Sequence, residues 1–116
     1  MTAIDLAKKL ATFSEHWSPK IVAEFNGNDV TVVKVVGEFV WHSHADTDDF
    51  FMVLDGSLKI EMKDGDVTLN SGDLYVDPKG VEHRPVAKEE AHLLLIERRG
   101  TPNTGDEATA AAKVEI

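Results

Sequence analysis

Two histidines one residue apart, His42 and His44, stand in the stretch WHSHADTDDFF and are followed by Asp46, Asp48 and Asp49. Histidine is not a favoured strand residue, yet the flanking sequence reads as β. Side chains two apart on a strand share a face. His42 and His44 are therefore expected to point one way with Val40, and Phe39 and Trp41 the other. Two imidazoles on one face can share one ion, and neutral imidazole ligates zinc, iron, copper and nickel. A carboxylate from the next strand adds a hard oxygen and offsets positive charge. That strand is expected to set Asp49, Phe51 and Val53 on one face and Phe50, Met52 and Leu54 on the other. On spacing alone this chemistry weighs evenly with a blander reading, two surface histidines beside a solvated acidic loop.

A second segment, GDLYVDPKGVEHRP (residues 72–85), tips the balance. The chain has Gly37, four residues, His42-Ser-His44, four residues, Asp49, six residues and Gly56. It then has Gly72, five residues, Pro78-Lys-Gly80, two residues and His83. This resembles the paired motifs of the cupin family, G-x5-H-x-H-x(3,4)-E-x6-G and G-x5-P-x-G-x2-H-x3-N. By motif the resemblance covers about residues 37–87, and the strand pattern extends it to about 21–98. The segment between the motifs, residues 57–71, is short, as in small single-domain cupins. The resemblance implies a double-stranded β-helix, the cupin jelly-roll barrel, holding a divalent transition metal (Fe, Mn, Ni or Zn). The ligands it implies are His42, His44 and His83, with Asp49 in the place of the fourth. Three departures stand out. The first spacer is one residue short, which a β-bulge or altered turn can absorb. The closing Asn is Ala87, and Asp49 replaces the usual Glu. Asp reaches roughly 1.5 Å less far, one C–C bond, against metal–ligand bonds of about 2.0–2.2 Å. Asp49 then binds directly after a backbone shift, acts through a water, or stays outside the shell.

The elements that must position these residues are mostly strands. Ile4, Ala7, Leu10 and Ala11 recur at helical spacing and give a short N-terminal helix within the first dozen residues. From Ile21 the period changes. IVAEF, the turn NGND and VTVVKVV form a hairpin signal, because type I′ turns need positive φ at both central positions. FFMVL, LKIEM, VTL, LYV, VEHRPVA and AHLLLIE follow, most of them separated by Gly, Asn and Asp turns, as in an all-β sandwich or barrel. Pro78 and Gly80 shape the turn that returns His83 toward the first pair. The expected organisation is one domain over residues 1–116: an N-terminal arm 1–20, a barrel core about 21–98 and a tail 99–116 that starts as a loop and ends as a helix or a loose end.

Bulk properties narrow the function. The chain has 116 residues, 42 % of them hydrophobic, and no cysteine. Thiolate metal sites, iron–sulfur clusters and disulfides are excluded. The net charge of −9, from 12 basic and 21 acidic side chains, argues against nucleic acid or an anionic membrane as partner. No apolar run approaches the roughly 18 residues of a membrane span, and MTAIDLAKKLATF lacks the features of a secretory signal. The expected location is cytoplasmic. Both faces of the strand after the histidines are apolar, so one face needs a cover, the N-terminal segment or another subunit; a homodimer is expected.

Other residues draw plainer readings. His92 is expected to be structural, and His16, near Trp17, to cover the core or barrel mouth. Asp46 and Asp48 are loop residues, Asp48 being the fallback ligand. Phe51, Val53 and Tyr75 line the cavity or the core, and Glu82 and Arg84 point away from His83. No phosphate loop, nucleophile elbow or dinucleotide fingerprint is present. The functional expectation is a metal-dependent enzyme acting on a small molecule, a dioxygenase or a sugar or keto-acid isomerase, with the catalytic residues unknown and Asp49, if unligated, one candidate base. The other class is a non-catalytic, metal-stabilised module that binds a small molecule.

Overall fold

The structure is a computed structural model describing residues 2–116. The elements run α1 (Leu6–Leu10), β1 (Lys20–Phe25), β2 (Asn28–Glu38), β3 (Asp49–Asp55), β4 (Ser57–Met62), β5 (Gly65–Asn70), β6 (Leu74–Asp77), β7 (His83–Arg98) and β8 (Val114–Glu115). Helix α1 is a turn and a half, shorter than its periodicity suggested. Asp5 caps it by accepting from the Lys8 amide at 3.1 Å, and beyond Leu10 too few apolar contacts remain to offset the cost of extending it.

The β1–β2 hairpin forms as its sequence dictates: Asn26 has φ 50° and Gly27 φ 78°, the two positive values a type I′ turn requires. The strands VEHRPVA and AHLLLIE are one element. β7 is continuous over sixteen residues and ties the barrel together. Its first part pairs with β4, and its later part pairs with β2 and β3. Between Val35↔Ala91 and Gly37↔Ala87 the β2–β7 register shifts, leaving two extra residues on β7. The irregularity thus lies beside the short spacer, but on the partner strand.

The core is built from the inward sets of these strands. Val33, Val35, Phe51, Val53, Leu58, Ile60, Leu69, Ala87, Ala91 and Leu93 form one buried cluster, with Trp17, Tyr75 and Leu95 packed against it. On the opposite face of β3, Phe50, Met52 and Leu54 are half-buried. Leu6 and Leu10 of α1 line a cleft with Leu54, so the N-terminal segment covers one end of that face. The tail does not end as a helix or loose end. Val114 and Glu115 add in parallel to the open edge of β1, satisfying edge groups that would otherwise face water.

Candidate metal centre

The segment carrying the first two histidines is not the regular strand its alternation suggested. β2 ends at Glu38, and His42 makes only an isolated bridge, to His83. Val40 is 52 % exposed rather than sharing the inward face, whereas His42 and His44 are buried. The Phe39 amide still donates to the Pro85 carbonyl at 2.9 Å and its ring lines the cavity, but no ladder holds Val40 and Trp41, so the alternation lapses there and resumes at the bridge. That bridge is reciprocal. The His42 amide donates to the His83 carbonyl at 3.0 Å, and the His83 amide donates to the His42 carbonyl at 2.9 Å. The turn Pro78–Val81, closed by the Val81 amide on the Pro78 carbonyl at 3.1 Å, also donates the Gly80 amide to the His44 carbonyl at 2.8 Å. Gly80 sits at φ 81°, a conformation that favours glycine. Backbone bonds thus draw the two histidine segments together.

The result is a buried group of four: His42, His44, Asp49 and His83 each offer a ligand atom, and these atoms lie within 4.8 Å of one another. Asp49 Oδ2 lies 2.9 Å from His83 Nε2 and 3.2 Å from His44 Nε2. Atoms bound about 2.1 Å from one ion are separated by about 3.0 Å at right angles, 3.4 Å at tetrahedral angles and 4.2 Å when opposite. The short pairs already fit, and the widest needs to close by only about half an ångström. The shorter side chain therefore reaches the histidines. Asp48, the fallback, is exposed and accepts from the Lys79 amide at 3.0 Å, and Asp46 is exposed as well.

Each terminal imidazole is set by a partner. His42 Nδ1 donates to the Val40 carbonyl at 2.9 Å, leaving Nε2 free for the group. Burial, reinforced by the neighbouring His83 and His44, pushes His42 down to about 4, so its imidazole is neutral at physiological pH. His83 Nδ1 lies 2.7 Å from Asp77 Oδ2 and 3.0 Å from the Val81 carbonyl. Burial lowers the His83 pKa, but Asp49, Val81 and Asp77 outweigh it and the net shift is upward. Burial pushes Asp49 up, yet the hydrogen bonds from His44 and His83 prevail and hold it at about 2. Asp77, almost fully buried, is raised by burial. A carboxylate behind a ligating imidazole fixes its ring and tautomer and raises its basicity.

Sequence reasoning passed over Asp77, although it directly precedes Pro78 and pairs in register with Asp49. Of the cavity walls it placed Phe51 but not the others. A space of about 40 Å³ adjoins the group, lined by Trp17, Val33, Val35, Phe39, Phe51, Leu93 and Leu95, together with His42, His44, Asp49, Glu97 and Asn103. Trp17, not His16, closes its mouth. The Trp17 indole stacks on Phe39 with 4.6 Å between centroids, and its Nε1 donates to the Val36 carbonyl at 2.9 Å. His16 faces outward and pairs with Glu90 at 2.7 Å, and His92 also contacts Glu90. Phe51 packs edge-on against His83, Val53 is core, and the Tyr75 hydroxyl meets Met62 Sδ. Arg84 turns outward to Glu61 and Glu38.

Residues 29–97 match the family model described as Cupin domain. The chain belongs to the cupin family. This cupin is 36 % identical over 83 residues to the uncharacterized protein YdbB of Bacillus subtilis (strain 168), covering 71 % of this chain and 67 % of that one. A cupin-2 domain containing protein from Shewanella frigidimarina NCIMB 400 is 51 % identical, with TM-score 0.82, covering 83 % of this chain and 94 % of that one. The fold is the jelly-roll β-barrel of these proteins. More distantly, it is similar to the hydroquinone 1,2-dioxygenase PnpCD, in complex with Cd2+ and 4-hydroxybenzonitrile. That match is 18 % identical, with TM-score 0.70, covers 90 % of this chain and 73 % of that one, and shows the fold alone.

Proposed function

We propose that this cupin is a metal-dependent enzyme acting on a small molecule inside its barrel, with His42, His44, His83 and Asp49 holding a divalent ion of the Fe, Mn, Ni or Zn kind. The observation that carries the reading is the convergence of three imidazoles and one carboxylate, all buried, beside a largely apolar cavity. Isolated buried charges are costly unless paired or coordinated, and four ionisable groups facing one point suit a cation. When bound, such an ion supplies Lewis acidity, a template for substrate, or a redox centre for dioxygen. The chain's own contribution is to hold protons and exclude water. Val40 and Asp77 keep the protons of His42 and His83 on Nδ1, and Trp17 and Asn103 shield the cavity.

Of the two reaction types, the lining favours the dioxygenase. Phe51, Phe39, Trp17, Val33 and Leu95 offer little to the hydroxyls of a sugar, which need hydrogen-bond partners when buried. An apolar or aromatic substrate suits them better. The dioxygenase with bound Cd2+ noted above shares this fold. The test is elemental analysis of tag-free protein, followed by oxygen uptake with Fe(II) and small aromatic substrates. About one metal per chain with substrate-dependent uptake is expected. Metal without uptake, with ligand-induced thermal shifts, supports the binding module instead, and protein purifying and reconstituting without stoichiometric metal overturns both.

We further propose a homodimer in the cytoplasm. On β3 and β6, Phe50 pairs with Val76 and Met52 with Leu74 on one face. Leu74 is 56 % and Val76 42 % exposed, an apolar stripe suited to a two-fold partner.

A further inference from the structure

One ionisable residue of the cavity wall lies outside the group of four. Glu97 follows Leu93 and Leu95 on the inward face of β7, where the apolar pattern calls for another Leu, and it is only 6 % exposed. Lys113 Nζ approaches its Oε1 to 2.6 Å. That ammonium also donates to the Thr101 carbonyl, and its approach to Glu97 Oε1 is an ion pair without an aligned hydrogen bond. A buried carboxylate oxygen without an aligned donor is costly.

Lys113 belongs to the segment after β7 that caps the cavity. In the same segment, Asn103 Nδ2 donates to the Trp17 carbonyl at 3.3 Å. Gly105, at φ 77°, lies so close to the loop between His42 and His44 that an added Cβ would sit 2.1 Å from the Ser43 carbonyl oxygen. The space beside it is about 40 Å³, room for one or two waters. On this reading a ring-sized ligand gains its room where the segment carrying Asn103 and Lys113 moves aside, which takes Lys113 from Glu97.

We propose, on the reading of the barrel as a small-molecule site, that Glu97 is its specificity-determining residue. Its carboxylate accepts a hydrogen bond from a hydroxyl or ammonium on a ligand whose apolar body packs on Phe51 and Leu95 and whose other polar end meets the His/Asp group. The ligand class is thus a single-ring-sized apolar molecule with two polar ends, one of them a donor.

The test uses full-length protein loaded with Zn(II) and a near-isosteric pair of probes, 4-(hydroxymethyl)phenol and 4-ethylphenol, with affinities from calorimetry. Wild type should prefer the hydroxymethyl probe about tenfold or more. Glu97→Leu should bring the two within twofold, and Glu97→Gln, which keeps an acceptor and serves if the leucine variant fails to fold, should lower the ratio about threefold. The idea is overturned if the ratio survives in either variant, if wild type shows no preference, or if neither probe binds. Repeating the series on metal-free protein separates the two readings. A preference that persists while the chain takes up no Zn(II) sustains the role of Glu97 and sinks the metal assignment, and the reverse outcome does the opposite.

Discussion

Replacing Asp77 by Asn probes how the site is built from behind. Asp77 Oδ2 lies 2.7 Å from His83 Nδ1, and both side chains are essentially removed from water. The substitution keeps shape and an acceptor but removes the charge. Two opposing consequences follow. Loss of the anionic partner weakens His83 as a donor and loosens its ring; such outer contacts are worth about 10–100-fold in metal affinity, or about 1.4–2.7 kcal/mol. Asp77 is also one of the groups that raise the His83 pKa, so the same substitution reduces the competition between proton and metal. The first effect acts at every pH, the second only where His83 is protonated. Zn(II) affinity, measured by competition with a chromophoric chelator, should therefore drop by 10–100-fold at pH 8.5, and the gap should narrow at pH 6. A ratio below twofold at pH 8.5, or a gap that widens as pH falls, would refute the reasoning.

The remaining predictions rest on single features. His44→Ala should abolish stoichiometric metal by elemental analysis while the far-UV spectrum stays that of a β protein. Asp49→Glu should not tighten metal binding, because Asp49 already stands 2.9 and 3.2 Å from two imidazoles; a tighter constant from the same chelator competition would count against its place in the shell. His42 is held near 4 against an ordinary 6.5, so the unfolded chain takes up its proton first and metal-free protein should lose stability as pH falls from 6.5 to 4. The limit is about 3 kcal/mol, partly offset because the raised His83 stabilises the fold below 6.5 and loses that contribution as pH rises through its folded value; urea midpoints at pH 7 and 4.5 measure the sum. Leu58→Ala should cost about 2–5 kcal/mol in the same assay, since Leu58 is wholly buried. Leu74→Lys should shift the sedimentation coefficient to that of a monomer, and an unchanged value removes the β3–β6 stripe as the dimer face.

Much of this was legible because its physics is local. Asn26-Gly27 encodes its turn through φ alone, and alternation correctly turned Asp49, Phe51 and Val53 to one side of β3. The group of four was legible through the resemblance of its two motifs to those of cupins, spacing alone having left His42 and His44 evenly balanced between a metal site and a solvated surface. What escaped depends on partners far apart in sequence. Val40 follows the period on paper, but no ladder holds Val40 and Trp41 between the Phe39–Pro85 bond and the His42–His83 bridge. Trp17 sits in the left-handed region, at φ 56°, which is strained for a bulky side chain. Its amide bond to Lys34 and its stack on Phe39 fix it there, and neither is visible from its neighbours in the chain. Glu97 did leave a trace, a charge where HLLLIE should place an inward apolar residue. Its meaning emerged only once the last strand brought Lys113 beside it.

The reciprocal amide bonds between His42 and His83 carry a mechanical corollary. His83 opens β7 and is already held by the pairing of that strand with β4, whereas His42 lies outside the ladders and is tied to it by this bridge, flanked by the Phe39 amide on the Pro85 carbonyl and the Gly80 amide on the His44 carbonyl. The first histidine segment is thus moored to a fixed strand, and the direction of the His42 ring is inherited from β7 rather than set by its own neighbours. Slow deuterium uptake at the His42 amide, beside fast uptake at Val40 and Trp41, would be the signature of that mooring.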